Sequence, residues 1–132
     1  MDLKDNNKKV AKNKNFFESF KHAFTGIRTV IEEERNMKYH VSFGVLAILI
    51  SLYLKISPIE WVFIIFSIML VFIVEIINTS FENLVDLVTN CEYHDIAKKV
   101  KDMAAGAVLL SAILALVVAC FILLPKIWQL IA

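Results

Sequence analysis

The sequence has too few glycines and cysteines for several common kinds of functional site. It contains only three glycines, and neither G-x-x-x-x-G-K nor G-x-G-x-x-G occurs, so a glycine-loop nucleotide site is excluded at the level of motif. Cys91 and Cys120 lie far apart without C-x-x-C or cysteine–histidine spacing, and we expect both to pack as small side chains. The net charge of +1 does not point to nucleic acid as a partner.

Apolar side chains are abundant instead. They make up 58% of the 132 residues, and the mean hydropathy is +0.66. This chain is too apolar for an ordinary soluble domain of that length, and it is long enough for one domain at most. We therefore expect a single all-α integral membrane domain over residues 16–132.

Residues 1–15 differ sharply from the rest of the chain. They are rich in lysine, asparagine and aspartate, and the lysines are Lys4, Lys8, Lys9, Lys12 and Lys14. Such a segment buries too little apolar surface to order itself. It predicts a flexible basic arm that is attracted to anionic headgroups, and it is too polar for a cleaved signal peptide.

Residues 16–39 have the periodicity of an amphipathic helix. One side collects Phe16, Phe17, Phe20, Ala23, Phe24, Ile27, Val30 and Ile31. A helix with this pattern would lie in the membrane surface with its apolar side down. Glu34 falls in the middle of that apolar side, which leaves two interpretations: a frayed helix end, or a ligand that points inward.

Three apolar runs follow and predict membrane helices at about residues 40–55, 59–89 and 97–125. The first run is shorter than the ~20 residues of a spanning helix, so Tyr39, His40 and Lys55 would extend it to the interfaces. The pair Ser57-Pro58 predicts a tight turn between antiparallel helices. The last run has small residues at every fourth position, which permits close contact within or between monomers; they are Ala107, Ser111, Ala115 and Ala119.

The most informative stretch is E-I-I-N-T-S-F-E-N-L-V-D at residues 75–86. In a helix, Glu75, Asn78, Glu82 and Asp86 share one face. An acidic residue costs about 3 kcal/mol at mid-bilayer and less toward the interface. The face is therefore either a solvated surface of a helix that leaves the lipid, or a site where a divalent cation offsets the repulsion between carboxylates.

The basic residues indicate where this face lies. Nine lysines and arginines precede residue 41 and three lie in residues 89–102, against one each at Lys55 and Lys126. The positive-inside rule then puts the N-terminus and the connection at residues 89–102 in the cytoplasm. We expect a multi-pass plasma-membrane protein whose acidic face, with Lys101 and Asp102, meets cytoplasmic nucleotide and magnesium.

Carboxylates and a lysine at one membrane face suit a magnesium-dependent phosphoryl transfer. The metal and the lysine would neutralise phosphate charge, and a further carboxylate would accept the proton of a lipid hydroxyl. A small cation transporter or channel subunit is an alternative, and so is a membrane scaffold without chemistry. A transporter would distribute carboxylates through the bilayer, whereas residues 104–124 contain none.

Three blocks of this sequence resemble the small prokaryotic diacylglycerol kinase and undecaprenol kinase family. They are G-I-R-T-V-I-E-E-E-R-N at residues 26–36, the stretch at residues 75–86, and K-D-M-A-A-G-A at residues 101–107. The middle block is similar to the signature E-x-x-N-[ST]-[AS]-x-E-x-x-x-D, and the resemblance covers roughly residues 16–124. It implies a bacterial plasma-membrane homotrimer with three membrane helices and a surface helix per chain, and active sites shared between subunits. The implied reaction converts ATP and a lipid alcohol into ADP and a lipid phosphate.

The resemblance also implies a role for each candidate site residue. Glu75 would be the general base toward the lipid hydroxyl, and Glu34 and Glu82 would bind Mg²⁺. The residues that would contact the nucleotide are Asn78, Tyr93, His94, Lys101 and Asp102. Asp86 and Arg28 would support the site.

The identity of the lipid depends on the segment E-R-N-x-x-x-H at residues 34–40. His40 stands where diacylglycerol-specific relatives tend to have an acidic residue, and the segment is more similar to the undecaprenol kinase branch. The resemblance therefore favours undecaprenol as the acceptor, with diacylglycerol as the alternative.

Overall fold

The computed structural model describes residues 15–132, and all regular structure in that range is helical. The helices are α1 (Phe16–Glu33), α2 (Arg35–Tyr53), α3 (Pro58–Thr89) and α4 (Asp95–Ile131). The all-α prediction is thereby confirmed. The predicted basic arm lies outside the described residues, except for Asn15, which is the N-cap of α1.

The first helix is shorter than its periodicity predicted. We expected it to reach residue 39, but α1 ends at Glu33 and α2 begins at Arg35. Glu34 between them has extended backbone angles, φ −89° and ψ 121°. Its N–H donates to the Val30 carbonyl at 2.9 Å, and its carbonyl accepts from the Lys38 N–H at 3.2 Å. Glu34 is therefore a sharp break shared by two helices and not a frayed end.

The α2–α3 connection is the tight turn that Ser57-Pro58 predicted. Lys55 adopts a left-handed conformation with φ 50°, and Ser57 begins α3 as its N-cap. The Glu60 Oε2 accepts from the Ser57 N–H at 2.6 Å, while the Ser57 Oγ accepts from the Glu60 N–H at 3.4 Å. This capping box satisfies two N–H groups that a helix start leaves unpaired, and Pro58 needs no partner there.

Helices α3 and α4 form the most extensive helix pair of the described chain. A buried cluster of Ile56, Ile64 and Leu123 lies where α3 begins and α4 ends. Here Lys126 Nζ lies 3.1 Å from Glu60 Oε2. We expected α4 to end at residue 125, but it continues through Pro125 to Ile131. A proline inside a helix removes one main-chain hydrogen bond and crowds the preceding turn, at a cost of about 3 kcal/mol; the packing of Ile127 against the cluster helps to offset this cost.

By length and composition, α3 and α4 are the helices of the described chain that are apolar enough to cross a membrane. The 19 residues of α2 would extend about 28 Å, which is close to the hydrocarbon thickness, so a third span stays a prediction. Large apolar side chains such as Phe66, Leu110 and Phe121 are exposed on this single chain. A helix that is apolar all round requires lipid or other helices as its surroundings.

Candidate functional site

A row of polar side chains is buried along the inner side of α3. The exposed fractions of Glu75, Asn78 and Thr79 are only 1%, 4% and 6%. They continue the spacing of Ile64 and Val71, which are buried on the same helix. Because residues three or four apart share a helix face, the register that buries these apolar residues also carries Glu75, Asn78 and Thr79 into the interior.

Three atoms of this row have no hydrogen-bond partner among the described residues. They are Glu75 Oε2, Asn78 Oδ1 and Thr79 Oγ1. Buried polar groups are almost always paired, and an unpaired one costs about 1–3 kcal/mol. Three such atoms on adjacent turns are what a site for a polar ligand requires. The Asn78 amide is oriented by its other end, since Nδ2 donates to Glu82 Oε1 at 3.0 Å.

Of the five predicted acidic site residues, three lie near one another: Glu75 and Glu82 on α3, and Glu34 from the α1–α2 break. The charges of Glu82 and Glu34 both act on the Glu75 carboxylate. The break between α1 and α2 therefore brings Glu34 toward the polar row of α3. We refer to Glu34, Glu75, Asn78 and Glu82 as the acidic group.

The acidic group fits a magnesium ion only together with another ligand. Within residues 15–132, no three His, Cys, Asp or Glu side chains converge closely enough to hold a metal ion. Magnesium is commonly bound by one or two carboxylates, and substrate phosphates and waters supply the other ligands. Glu34 and Glu82 are two carboxylates of this kind, and their binding of Mg²⁺ together with nucleotide phosphates stays a prediction.

A second site lies beside the acidic group, at the cytoplasm-facing end that the basic residues predict. It is a cleft of about 410 Å³ between the last turns of α3, the connection at residues 90–94, and the first turns of α4. It brings together five residues that sequence reasoning assigned to the site: Asp86, Tyr93, His94, Lys101 and Asp102. We call it the α3–α4 cleft.

Lys101 links the cleft to the acidic group. Its Nζ donates to Asp86 Oδ1 at 2.6 Å, and the Glu82 charge also acts on it. Lys101 precedes the apolar run at residues 104–124, so its ammonium lies at the polar end of α4, where it pairs with the Asp86 carboxylate. The pair is partly open to solvent, with side-chain exposures of 36% and 43%. A permanent cation in this position can bind phosphate oxygens.

The other cleft residues make local contacts. Two left-handed residues, Asn90 and Cys91, end α3 and turn the chain. The His94 Nδ1 accepts from the Ile96 N–H at 3.1 Å and so caps α4, while the Tyr93 hydroxyl donates to Asp95 Oδ1 at 2.9 Å. Asp102 forms an exposed ion pair at 2.6 Å with the lysine one turn earlier. In this chain His94 therefore has a structural role in addition to lining the cleft.

Arg28 lies outside both groups. Its Nε donates to Glu32 Oε1 at 2.7 Å, and both side chains are exposed on α1. The Glu32 carboxylate raises the pKa of the Arg28 guanidinium, which is cationic in any case. The structure of one chain thus gives Arg28 no contact with the predicted site.

Sequence reasoning missed an apolar cavity of about 460 Å³ between α2, α3 and α4. Its lining includes His40 and Gly44 from α2 and Val71 and Phe72 from α3. A Cβ on Gly44 would lie 3.2 Å from a methyl group of Ile68, so the glycine allows α2 to approach α3 closely. On α3 the lining extends as far as Val71 and Phe72, and Val71 lies one helical turn before Glu75. No sequence signal reveals it, because three helices form it jointly.

Sequence reasoning also left Thr79 without a role. Its position one turn after Glu75 was the available signal, because residues four apart lie on the same helix face. Its side chain is buried beside those of Glu75 and Asn78.

Comparisons with known proteins cover both the acidic group and the α3–α4 cleft. The family model for prokaryotic diacylglycerol kinase matches residues 21–123. The chain is similar to an undecaprenol kinase of Bacillus subtilis (strain 168), with 36% identity over 126 residues, 96% of this chain and 99% of that protein. It is also similar to a diacylglycerol kinase of Synechocystis, with 38% identity over 116 residues, 88% of this chain and 66% of that protein. A diacylglycerol kinase of Escherichia coli (strain K12) is 34% identical over 102 residues, 77% of this chain and 83% of that protein.

Proposed function

Because the chain belongs to the prokaryotic diacylglycerol kinase family and is therefore a lipid kinase, we propose that it phosphorylates undecaprenol at the cytoplasmic face of the bacterial plasma membrane. ATP is the phosphate donor of such a kinase, and Mg²⁺ is part of the proposal. Diacylglycerol, which would give phosphatidic acid, is the alternative acceptor. The observation that carries the proposal is that Glu34, from the α1–α2 break, and Glu82 both lie near enough to the buried Glu75 for their charges to act on it, beside a cleft that contains Lys101.

The proposed reaction begins with the lipid hydroxyl next to Glu75. The Glu75 carboxylate accepts the hydroxyl proton while the lipid oxygen attacks the γ-phosphorus of ATP, and the bond from that phosphorus to ADP breaks. The unpartnered Oε2 of Glu75 is the atom available to take the proton. Its burial excludes bulk water, which would otherwise compete with the lipid as acceptor.

The nucleotide phosphates would lie between the acidic group and the α3–α4 cleft. Lys101 would donate to phosphate oxygens, and Asn78 would orient the transferred phosphate. Mg²⁺, held by Glu34 and Glu82 together with phosphate oxygens, would neutralise the developing charge. Tyr93, His94 and Asp102 line the cleft where the rest of the nucleotide would bind, and Asp86 would hold Lys101 in place.

The apolar cavity supports a membrane lipid as the acceptor. It opens between helices that are themselves apolar, and its lining on α3 includes Val71, one turn before Glu75. A lipid chain in the cavity would bring its polar end to the carboxylate. Two observations favour undecaprenol over diacylglycerol. The undecaprenol kinase relative is matched over nearly its whole length. The cavity wall includes His40, at the position where the resemblance puts an acidic residue in diacylglycerol-specific relatives.

The membrane arrangement of the chain is a further part of the proposal. Helices α2, α3 and α4 would span the bilayer, and α1 would lie on its cytoplasmic surface. The exposed phenylalanines of α1 support this, because a run of large apolar side chains on a helix outside the spans suits an interfacial position; they are Phe16, Phe17, Phe20 and Phe24. A homotrimer would cover the apolar outer faces of α3 and α4.

A competition assay tests this function. The purified full-length chain in lipid nanodiscs receives undecaprenol and diacylglycerol at equal mole fractions, labelled ATP, and either Mg²⁺ or EDTA. We expect label mainly in undecaprenyl phosphate, and only with Mg²⁺. Label mainly in phosphatidic acid would replace undecaprenol by diacylglycerol. Label in neither lipid would contradict the proposed function.

A further inference from the structure

Thr79 differs from the other buried or half-buried hydroxyl residues within the described helices. Four of them donate to a main-chain carbonyl one turn earlier: Ser51 to Ala47, Ser67 to Ile64, Thr89 to Val85 and Ser111 to Val108, at 2.7–2.9 Å. A hydrogen bond to the carbonyl of the preceding turn is the usual one for a serine or threonine hydroxyl within a helix. The Thr79 hydroxyl, with its oxygen buried, makes no such bond and has no partner among residues 15–132.

The Thr79 hydroxyl does not form the local hydrogen bond that is open to it. A bound ligand therefore explains its missing partner better than a purely structural role does. An unpaired buried hydroxyl costs about 1–3 kcal/mol, and the carbonyl of Glu75 lies one turn back, where a threonine ordinarily reaches it. The hydroxyl therefore remains available in the interior, on the same face as Glu75 Oε2 and Asn78 Oδ1, which also have no partner. Two of these three atoms, those of Glu75 and Asn78, can only accept a hydrogen bond, whereas the hydroxyl can also donate one.

A lipid alcohol has the matching set of groups. Its oxygen carries one proton and two lone pairs. If the proton goes to Glu75, one lone pair must attack phosphorus and the other is free to accept a hydrogen bond. A donor is then needed within the buried row, and Thr79 is the hydroxyl of that row.

We propose that Thr79 binds the acceptor lipid, by donating its Oγ–H to the reacting hydroxyl oxygen while Glu75 Oε2 accepts that hydroxyl's proton. This inference depends on the proposed lipid kinase function. During transfer the lipid O–H bond breaks toward Glu75, a bond forms between the lipid oxygen and the γ-phosphorus, and the bond to ADP breaks. Thr79 keeps its proton throughout and fixes the direction of the attacking lone pair.

The test compares Thr79→Val, which removes the hydroxyl and keeps the branched shape, with Thr79→Ser, which keeps the hydroxyl. Thr25→Val is the matched control, because the Thr25 hydroxyl is exposed and already bonded to the Lys21 carbonyl. For each full-length variant in nanodiscs, kcat and KM are measured for undecaprenol and for ATP, together with the thermal midpoint of unfolding.

We expect Thr79→Val to lower kcat/KM for undecaprenol about tenfold, the effect of one hydrogen bond to a group that develops charge. The KM for ATP should stay unchanged and the unfolding midpoint should stay level or rise, since an unpaired buried hydroxyl has been removed. Thr79→Ser should restore most of the activity, and Thr25→Val should behave as the wild type.

Three results would overturn the inference. Wild-type lipid kinetics in Thr79→Val would remove Thr79 from acceptor binding. If Thr79→Val lowered the unfolding midpoint and Thr79→Ser did not restore the activity, the hydroxyl would be a structural group. An increased KM for ATP with unchanged lipid kinetics would assign it to the nucleotide. If the wild type phosphorylates neither undecaprenol nor diacylglycerol, the proposed function fails and the Thr79 inference fails with it.

Discussion

The substitution Glu75→Gln separates the proposed chemistry from the packing of the site. Glutamine has nearly the shape of glutamate but cannot accept a proton from the lipid hydroxyl. A positioned general base contributes about 10²–10⁴-fold to a reaction rate, which corresponds to about 2.7–5.4 kcal/mol of transition-state stabilisation. We therefore expect kcat to fall by at least about 100-fold.

The same substitution should change folding stability very little. The Oε2 of Glu75 has no partner in the described chain, so no hydrogen bond from this atom is lost. Removing the negative charge relieves repulsion from Glu82 and Glu34, whereas the new amide adds a buried donor that needs a partner. These effects oppose each other, and we expect the free energy of unfolding to change by about 1 kcal/mol or less.

The assay is label transfer from ATP to undecaprenol by the purified chain, with thermal unfolding measured on the same preparation. Glu60→Gln is the matched control, because Glu60 lies on the same helix at the opposite end and contacts Ser57 and Lys126. It should leave kcat unchanged and at most reduce stability slightly. A Glu75→Gln variant that folds normally and keeps kcat within about threefold of the wild type would refute Glu75 as the general base.

Three further predictions concern other parts of the molecule. Glu34→Gln and Glu82→Gln should each raise the Mg²⁺ concentration needed for half-maximal activity, and the double variant should be less impaired than the sum of the single effects, because one ion couples the two carboxylates; additive effects would contradict a shared ion. Lys101→Met should raise the KM for ATP about tenfold or more while changing stability by only about 0–1 kcal/mol, since the Asp86 pair is partly exposed; an unchanged KM would remove Lys101 from the nucleotide site. Ile56→Ala should destabilise the fold by about 2–5 kcal/mol through a cavity at the buried cluster where α3 begins and α4 ends, with kcat unchanged at temperatures where the variant is folded; an unchanged unfolding midpoint would mean that this cluster does not hold the helix pair together.

Much of the helical framework could be predicted from short-range patterns. Ser57-Pro58 marks a turn because a capping side chain and a proline both suit a helix start. The long apolar run after Pro58 and the polar residues beyond it predict one continuous helix, and α3 is continuous over Pro58–Thr89. These features depend on residues within a few positions of each other.

The break at Glu34 could not be predicted in this way. No glycine or proline interrupts the helical pattern there, and the apolar periodicity continues across it. The extended residue lies between Val30 and Met37, which are both buried. The change in chain direction therefore depends on how these two side chains pack against the rest of the molecule. The helix propensities of the neighbouring residues do not depend on that packing and cannot predict the break.

The candidate site was predictable as a set of residues but not as an arrangement. A helical count places Glu75, Asn78 and Glu82 on one side, but it does not reveal that Glu75 and Asn78 are fully enclosed or that Asn78 bonds to Glu82. The pairing of Lys101 with Asp86 joins two helices, and only the turn at residues 90–94 brings them together. Capping of α4 by His94 likewise depends on where that helix begins.

In the proposed site, Glu34 and Glu82 come from separate elements and bind one metal ion with the nucleotide beside Glu75. Manganese is a suitable paramagnetic substitute because carboxylates and water also suit it. Electron paramagnetic resonance of the full-length chain with Mn²⁺ and a non-hydrolysable ATP analogue measures this binding directly. We expect one nucleotide-dependent Mn²⁺ per chain in the wild type, and its loss when both residues are changed to glutamine. Equal Mn²⁺ binding by the wild type and by that double variant would contradict the account.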